Sequence, residues 1–433
     1  MDPMTIGLIC LVLFFVLMII GVPVGISMAL SGFVGFAWII SVSAAIGKTA
    51  LIPFTTMIDY NFTVVPAFIL MAQILGKAGF GAKLYELCER WLGYRRGGLA
   101  LATILASAIF AAISSSSIAT IVTIGLIAIP EMLRRKYDPG FAGATVASAG
   151  GLGILIPPSG ILILYALITE ESIRKLFIAG IVPGMLLTIA YVITVWLWCR
   201  VNPDLAPRGP KYTMKDRLTS IVHTWEVLLL LVVTFGGLFK GWFTPTEAGA
   251  VGAAGAILIG AVRRKLTWKG FMESLKDTAA NSGMVVLIMI GAFIFNYFVA
   301  VTRIPDAIVN GISNMDAAPF LVMLLITFIY IVMGMFMDSL SMMLLTVPFL
   351  VPVVTSLGYD LIWFGIYSVM VMEMAMITPP VGISVYATAG LVRETTLGNI
   401  FRKVFPFVVA QFAVILVMLI FPRVVTFLPD LFR

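Results

Sequence analysis

The sequence predicts an all-α integral membrane protein, and its composition is the first reason. Of the 433 residues, 61% are hydrophobic and only 11% are charged, whereas a soluble domain carries roughly 25% charged residues. The mean hydropathy is +1.09. These values exclude a soluble enzyme, a nucleic-acid-binding protein and a disordered scaffold. The excess of basic over acidic residues, 28 against 21, is typical of the cytoplasmic loops of a membrane protein.

Long apolar segments are the second reason, because roughly 20 apolar residues cross a bilayer. Residues 3–47 carry no charge and are long enough for two helices, which Gly21–Pro23 separates. A segment that mixes charged and apolar residues, 266–276, suits either an amphipathic helix in the headgroup layer or a simple surface loop. Eight further spans are predicted at residues 62–80, 141–168, 177–199, 223–240, 246–262, 279–301, 361–391 and 404–425. Together with the first two, they make about ten spans.

Two further apolar segments, 97–130 and 318–357, are too long for one span and too short for two. Polar residues interrupt each near its midpoint, Ser114–Ser117 in the first and Asp338–Ser341 in the second. A re-entrant hairpin accounts for both, because irregular backbone is tolerated at membrane depth only where protein surrounds it. The alternative is a long tilted helix whose polar residues serve packing.

The distribution of basic residues predicts the orientation. Cytoplasmic loops of membrane proteins are enriched in Lys and Arg. If they are cytoplasmic, five loops hold 21 of the 28 Lys and Arg residues, namely 77–96, 134–136, 200–217, 263–276 and 393–403. Both termini then lie on the periplasmic side, and the two hairpins enter the membrane from opposite faces.

An internal repeat relates the two halves of the chain. Ile156–Ile161 reads IPPSGI and recurs as TPPVGI at Thr378–Ile383, an offset of 222 residues. Pro23 and Pro245 are separated by the same 222 residues. The same shift brings the first polar tip onto the second. Three coincidences at one offset indicate a duplicated unit.

The repeat divides the chain into a first half, 1–200, a cytoplasmic linker, 201–221, and a second half, 222–433. Five predicted spans in each half make the second copy inverted relative to the first. Inverted repeats with interrupted elements at mid-membrane are typical of secondary transporters. An ancient duplication without transport is the alternative.

The Pro-Pro motifs at Pro157–Pro158 and Pro379–Pro380 must interrupt their spans, since proline donates no N–H and clashes with the preceding turn. Each break is expected to face the polar tip of its own half. Freed carbonyls beside hydroxyls suit a hard cation, and half-helix N-termini favour an anion. Sodium is favoured over protons, because the first tip has no titratable group.

Three acidic residues in apolar segments need separate interpretation. Asp338 is either a cation ligand or the N-cap of the second half-hairpin. Glu373, shortly before Pro379, either serves the cation or bonds the broken backbone. Glu247 is predicted to cap the helix that begins at Pro245.

Five segments, taken in order, carry a resemblance to a known family: Ser115–Thr120, Gly153–Ser159, Phe243–Ala248, Phe336–Asp338 and Ile377–Gly382. The sequence resembles, over essentially its whole length, the large membrane subunit of tripartite ATP-independent periplasmic (TRAP) transporters. It departs in one respect. Many members have a glycine within the first tip, where this chain has Ser114–Ser117.

The resemblance implies an ion-transporter-superfamily fold and an elevator mechanism. The two hairpins and two broken spans would form the moving domain, and the other helices a scaffold. It also implies a separate small four-helix membrane subunit, a periplasmic substrate-binding protein and an organic-acid substrate such as a C4-dicarboxylate or sialic acid. Sodium rather than ATP would drive uptake across the bacterial inner membrane.

The resemblance also implies the site residues. One sodium would be held by Ser115, Ser116 and the Gly153–Pro157 segment. The other would be held by Asp338, Ser339, Thr378 and Pro379. The substrate gap between the tips would be lined by Ser117, Ser159, Ser341 and Gly382.

Two other functions compete with transport. A channel with a broken-helix pore needs a continuous polar path, yet polar clusters occur only at mid-depth. An intramembrane serine hydrolase needs a His or Lys beside its serine, yet the single histidine, His223, falls at a predicted cytoplasmic helix end.

Overall fold

The computed structural model describes residues 1–314 and 318–432. Within this part of the chain the regular structure is helical, and the one isolated backbone bridge joins Arg96 to Arg208. The first half contains α1 (Pro3–Ile19), α2 (Val24–Ile39), α3 (Val42–Ile58), α4 (Val64–Lys77), α5 (Phe80–Leu92), α6 (Gly98–Ser114), α7 (Ser117–Arg134), α8 (Pro139–Gly150), α9 (Leu152–Leu155), α10 (Gly160–Thr169) and α11 (Ile173–Val201).

The predicted linker, 201–221, contains a short 3-10 turn, Pro203–Leu205, and most of the next helix, α12 (Met214–Val222). The remaining helices are α13 (Trp225–Lys240), α14 (Pro245–Val262), α15 (Trp268–Thr302), α16 (Ile304–Asn314), α17 (Pro319–Gly334), α18 (Ser339–Ser356), α19 (Leu361–Met376), α20 (Ile383–Ala389), α21 (Leu397–Ile420) and α22 (Arg423–Leu431).

The predicted class, an all-α integral membrane protein, is confirmed. Among the described residues, seven helices are long and apolar enough to span a membrane, or up to nine if each of two bent helix pairs is one span. Five more apolar helices, including α1, α2 and α19, have fewer than the 18 residues of that criterion. The number of about ten complete spans therefore stays a prediction.

The amphipathic segment 266–276 is helical from Trp268 onwards, and it is continuous with the predicted span 279–301. It forms the first turns of α15, which continues for 35 residues and is roughly 52 Å long at 1.5 Å per residue. The charged residues stay within this helix, and Lys77 of α4 forms ion pairs with Glu273, at 3.3 Å, and with Asp277, at 2.8 Å.

Four interruptions occur where the sequence places polar tips and Pro-Pro motifs. The chain leaves helical conformation at Ser115–Ser116, between α6 and α7, and at 335–338, between α17 and α18. It does so again at Ile156–Ser159 and at Ile377–Gly382. Insertion of the two tips from opposite membrane faces, and the inverted order of the halves, stay predictions.

The most buried helices are the first parts of the two broken spans. In α8 every residue from Gly140 to Gly150 is buried, and in α19 every residue from Ile362 to Met376. Glycine and alanine dominate α8, and small side chains let helices approach closely in membranes.

The second parts of the broken spans cross between the halves. After the first break, α10 packs against α18 of the second hairpin. After the second break, α20 packs against α7 of the first hairpin and against α8. Each half therefore contributes to the surroundings of the other half's hairpin.

The helix start at Pro245 is capped as predicted. Thr244 and Glu247 form a reciprocal capping box, in which Glu247 accepts the Thr244 N–H at 2.8 Å and Thr244 Oγ1 accepts the Glu247 N–H at 3.3 Å. The structure thus gives Glu247 a structural role.

Candidate functional site

The two hairpin tips meet at the carboxylate of Glu373, which is only 2% exposed. Ser117 of the first tip donates a hydrogen bond of 2.8 Å to Oε2, and Ser339 of the second donates one of 3.1 Å to Oε1. Gly151 lies beside the same carboxylate, since a Cβ built there would be 3.0 Å from Oε2. One buried side chain therefore joins both tips and the first broken span.

The first tip faces the first break at very short range. A Cβ built on Gly153 would lie 2.8 Å from the Ser116 carbonyl oxygen and 2.7 Å from Thr120 Oγ1. On the other side of the break, a Cβ on Gly160 would lie 3.8 Å from the Ser115 carbonyl oxygen. The structure thus brings Ser115, Ser116 and Gly153 together. Pro157, four residues after Gly153, is also buried.

Ser115 is unusual in both backbone and side chain. Its φ of +54° lies in the left-handed region, which only glycine adopts without strain. The Ser115 hydroxyl is buried and has no hydrogen-bond partner among the described residues. A buried polar oxygen without a partner is costly unless a ligand satisfies it.

Asp338 caps the second half-hairpin. Its Oδ2 accepts the backbone N–H groups of Leu340, at 3.1 Å, and Ser341, at 3.2 Å, and its Oδ1 accepts the Ser341 hydroxyl. The N-cap interpretation is therefore confirmed, while the cation-ligand interpretation stays a prediction. Ser339 also contacts the Met376 sulfur at 2.7 Å, so the second tip lies beside the second break.

The second break is more open than the first. Pro379 is exposed, whereas Pro157 is buried. Thr378 Oγ1 donates to the Met374 carbonyl at 2.6 Å. Gly382 has a φ of +57°, and a Cβ built on it would lie 3.2 Å from the Thr378 carbonyl oxygen. Both Pro-Pro bonds are cis.

A cavity of about 650 Å³ opens beside the joined tips. The tips line it with Ser114–Ser117, Asp338 and Ser339, while α4 and α15 contribute Gln73 and Asn281. Sequence analysis singled out neither amide, although an isolated polar residue in an apolar span is the signal that would have found them.

The predicted substrate residues occupy different surroundings. Within the described chain, Ser117 lines the cavity but Ser159, Ser341 and Gly382 do not. Ser159 is fully buried and caps α10 through the Leu162 N–H at 3.3 Å. Their contact with substrate stays a prediction. Glu373, which sequence analysis left between two interpretations, bonds tip side chains rather than broken backbone.

The fold and site define a helical membrane protein whose interrupted spans and hairpins meet at one buried centre, as in secondary transporters. A family model described as "Tripartite ATP-independent periplasmic transporter, DctM component" matches residues 11–424. The chain belongs to this family, and it is the large membrane subunit of a TRAP transporter.

Individual relatives agree with this assignment. The sialic acid TRAP transporter large permease protein SiaM of Vibrio cholerae is 32% identical over 96% of each chain. The C4-dicarboxylate TRAP transporter large permease protein DctM of Pseudomonas aeruginosa is 34% identical over 87% of this chain and 86% of that one. The fold is similar to the Alcanivorax borkumensis YdaH transporter, with a TM-score of 0.59, 14% identity, and coverage of 83% and 85% of the two chains.

Proposed function

We propose that this chain is the transport subunit of a sodium-coupled importer of small organic acids in the bacterial inner membrane. The observation that carries the proposal is the junction at Glu373, where Ser117 and Ser339 of the two tips share one buried carboxylate. A junction of this kind lets both tips and both breaks move as one body. An elevator mechanism, with α1–α4 and α13–α15 as scaffold, requires such a body.

The first sodium site is proposed between the first tip and the first break. The unpartnered hydroxyl of Ser115, the carbonyl of Ser116 and the carbonyls of Gly153–Pro157, at the end of α9 and the start of the break, supply neutral oxygens of the type that a hard cation accepts. No charge needs to be buried there except that of the ion itself. The ion would satisfy the Ser115 oxygen.

The second sodium site is proposed around Asp338, Ser339, Thr378 and Pro379. The argument for this site is the charge of Asp338, which brings a carboxylate to the second tip. The cap bonds use Asp338 as an acceptor, but each carboxylate oxygen has two lone pairs. One carboxylate can therefore cap a helix and hold a cation.

The proposed substrate site is the cavity beside the tips. Sialic acid and C4-dicarboxylates, after which the two relatives are named, both carry carboxylate groups. The described lining contains no Lys or Arg, so the amides of Gln73 and Asn281, tip hydroxyls and co-bound sodium would have to recognise the carboxylate. Ser159, Ser341 and Gly382 would contact substrate only after the tips shift.

The proposed transporter has two other components, a small four-helix membrane subunit and a periplasmic substrate-binding protein. The word "tripartite" in the family description supports this composition. The predicted topology places both termini of this chain in the periplasm.

The test is uptake into proteoliposomes that contain this chain and the small subunit, with a binding protein and labelled organic acid outside. We expect uptake to require the binding protein and an inward sodium gradient, and to saturate at low turnover. Uptake that is indifferent to sodium would overturn the coupling. Fast, non-saturating flux without the binding protein would favour the channel alternative.

A further inference from the structure

A second cavity, of about 670 Å³, lies away from the tips at the C-terminal end of α11. Five basic side chains line it, contributed by the loop after α5, the end of α11 and the linker: Arg95, Arg96, Arg200, Arg208 and Lys211. Backbone bonds join the loop after α5 to the linker. Arg96 and Arg208 form the isolated bridge, and the Gly209 N–H donates to the Gly93 carbonyl at 3.1 Å.

The protein does not neutralise these five charges. Within residues 1–314 and 318–432, none of the five forms an ion pair. Glu89 is engaged by Arg135 and Tyr212, and Glu131 by Arg134 and Arg135. Like charges gathered around one cavity repel each other and concentrate anions. The cavity is therefore built for a ligand with negative charge.

An exposed apolar strip leads from this cavity along α11. Met185, Ile189, Ile193 and Leu197 are all exposed, and their spacing of four residues places them on one helix face. From Met185 to Arg200 the strip is roughly 22 Å long at 1.5 Å per residue. A strip of this length matches an extended acyl chain.

Aromatic residues mark the boundary between the strip and the basic cavity. The Arg200 guanidinium lies over the Trp196 ring at 5.4 Å, and Arg95 lies over the Tyr94 ring at 5.5 Å. Trp and Tyr are enriched at the level of lipid headgroups. We therefore expect the cavity to lie at the level of the lipid headgroups, on the predicted cytoplasmic side.

We propose that this cavity binds the phosphate headgroup of an anionic glycerophospholipid whose acyl chains lie along the α11 strip. Arginine guanidinium groups bind phosphate oxygens in a bidentate manner, and basic pockets beside transmembrane helices suit such headgroups. A free anion would use only the cavity, whereas a lipid uses both the cavity and the strip. Five cations suit a lipid with two phosphates, such as cardiolipin, better than one with a single phosphate.

The test is native mass spectrometry of the full chain with cardiolipin, phosphatidylglycerol or zwitterionic phosphatidylethanolamine. The variant Arg96→Gln/Arg200→Gln/Arg208→Gln is compared with a charge-matched control, Arg264→Gln/Lys269→Gln/Lys276→Gln, whose residues are exposed and do not line the cavity. We expect the first variant to bind both anionic lipids at least tenfold more weakly, and the control to bind them as the wild type does.

Further arms identify the source of the negative charge. Long-chain phosphatidylglycerol should bind at least tenfold more tightly than inorganic phosphate or a short-chain analogue. Equal binding of phosphate, equal binding of phosphatidylethanolamine, or equal loss in the control variant would overturn the proposal. So would a triple variant that keeps its anionic lipid but loses the co-expressed small membrane subunit, because the cavity would then dock a protein.

Discussion

Ser117 donates a 2.8 Å hydrogen bond to Glu373, which lies 256 positions further along the chain. The same carboxylate accepts the Ser339 hydroxyl at 3.1 Å. Because Glu373 is almost fully buried, both bonds form away from water, and an unsatisfied group would incur its full desolvation cost. The junction therefore couples the two hairpins energetically as well as geometrically.

Removal of this carboxylate should loosen the protein. We expect Glu373→Ala to lower the free energy of unfolding by about 1–3 kcal/mol, the cost of leaving buried partners unsatisfied. Glu373→Gln should lose less, because an amide can accept from one serine and donate to the other. Thermal unfolding of the purified chain in detergent measures both.

A double-mutant cycle supplies the control for this coupling. Ser117→Ala and Ser339→Ala should each destabilise the wild type and have little effect once Glu373 is alanine. Ser148→Ala removes a buried hydroxyl that has no partner among the described residues and should be close to neutral in both backgrounds. Additive effects of the tip serines would show that the junction does not couple the hairpins.

The Ser115 hydroxyl should serve the ion rather than the fold. Because it has no protein partner, Ser115→Ala should change the free energy of unfolding by less than about 0.5 kcal/mol. The sodium concentration for half-maximal uptake should rise about tenfold, equivalent to about 1.4 kcal/mol. Uptake against external sodium in the reconstituted transporter measures the shift.

Two further variants make this prediction specific. Ser115→Gly removes the same hydroxyl but relieves the left-handed backbone, so it should be about 1 kcal/mol more stable than Ser115→Ala. Ser384→Ala removes another buried, unpartnered hydroxyl and should leave sodium dependence unchanged. Wild-type sodium affinity in Ser115→Ala would exclude this hydroxyl as a ligand.

Gly153 should be intolerant of a side chain. A Cβ there would be 2.8 Å from the Ser116 carbonyl, so Gly153→Ala must push the first tip away from the first break. We expect sodium-driven uptake to fall at least tenfold, because the oxygens of the proposed site would separate. Gly236→Ala is the matched control, since nothing lies within 4 Å of a Cβ at that position. Equal activity of the two variants would contradict the close approach.

Local chemistry explains what the sequence could predict. A Pro-Pro pair removes two adjacent N–H donors and interrupts its span, whereas single prolines such as Pro183 in α11 and Pro406 in α21 leave their helices continuous. A polar cluster in an apolar segment needs protein around it. The breaks at Pro157 and Pro379 and the tips at Ser115 and Asp338 follow from these rules alone. The cap at Glu247 likewise depends on residues only three positions apart.

Long-range contacts explain what the sequence could not predict. The role of Glu373 depends on two serines that the fold brings from distant segments. The charged start of α15 lies in the same helix as the apolar span, and Lys77 of the distant helix α4 pairs there with Glu273 and Asp277. In the sequence alone, such a charged segment indicates a boundary.

Asp338 permits a clean separation of capping from cation binding. Asparagine is as good an N-cap as aspartate, whereas alanine loses about 1 kcal/mol. Asp338→Asn should therefore preserve stability and abolish sodium-driven uptake, because it keeps the bonds to Leu340 and Ser341 but removes the charge. Asp338→Ala should abolish uptake too, with a small loss of stability, and leave the protein folded. Proteoliposome uptake and thermal unfolding, measured on the same preparations, give both quantities.

The control for Asp338 is another aspartate cap. Asp360 caps α19 by accepting the Trp363 N–H at 3.0 Å, and it lies at the opposite end of that helix from Glu373. Asp360→Asn should preserve both stability and uptake. If Asp338→Asn transports with wild-type sodium dependence, the carboxylate serves only as a cap, and the second sodium site must be built from Ser339 and Thr378 without it. If Asp338→Ala loses uptake while Asp338→Asn keeps it, loss of capping rather than loss of charge is the cause.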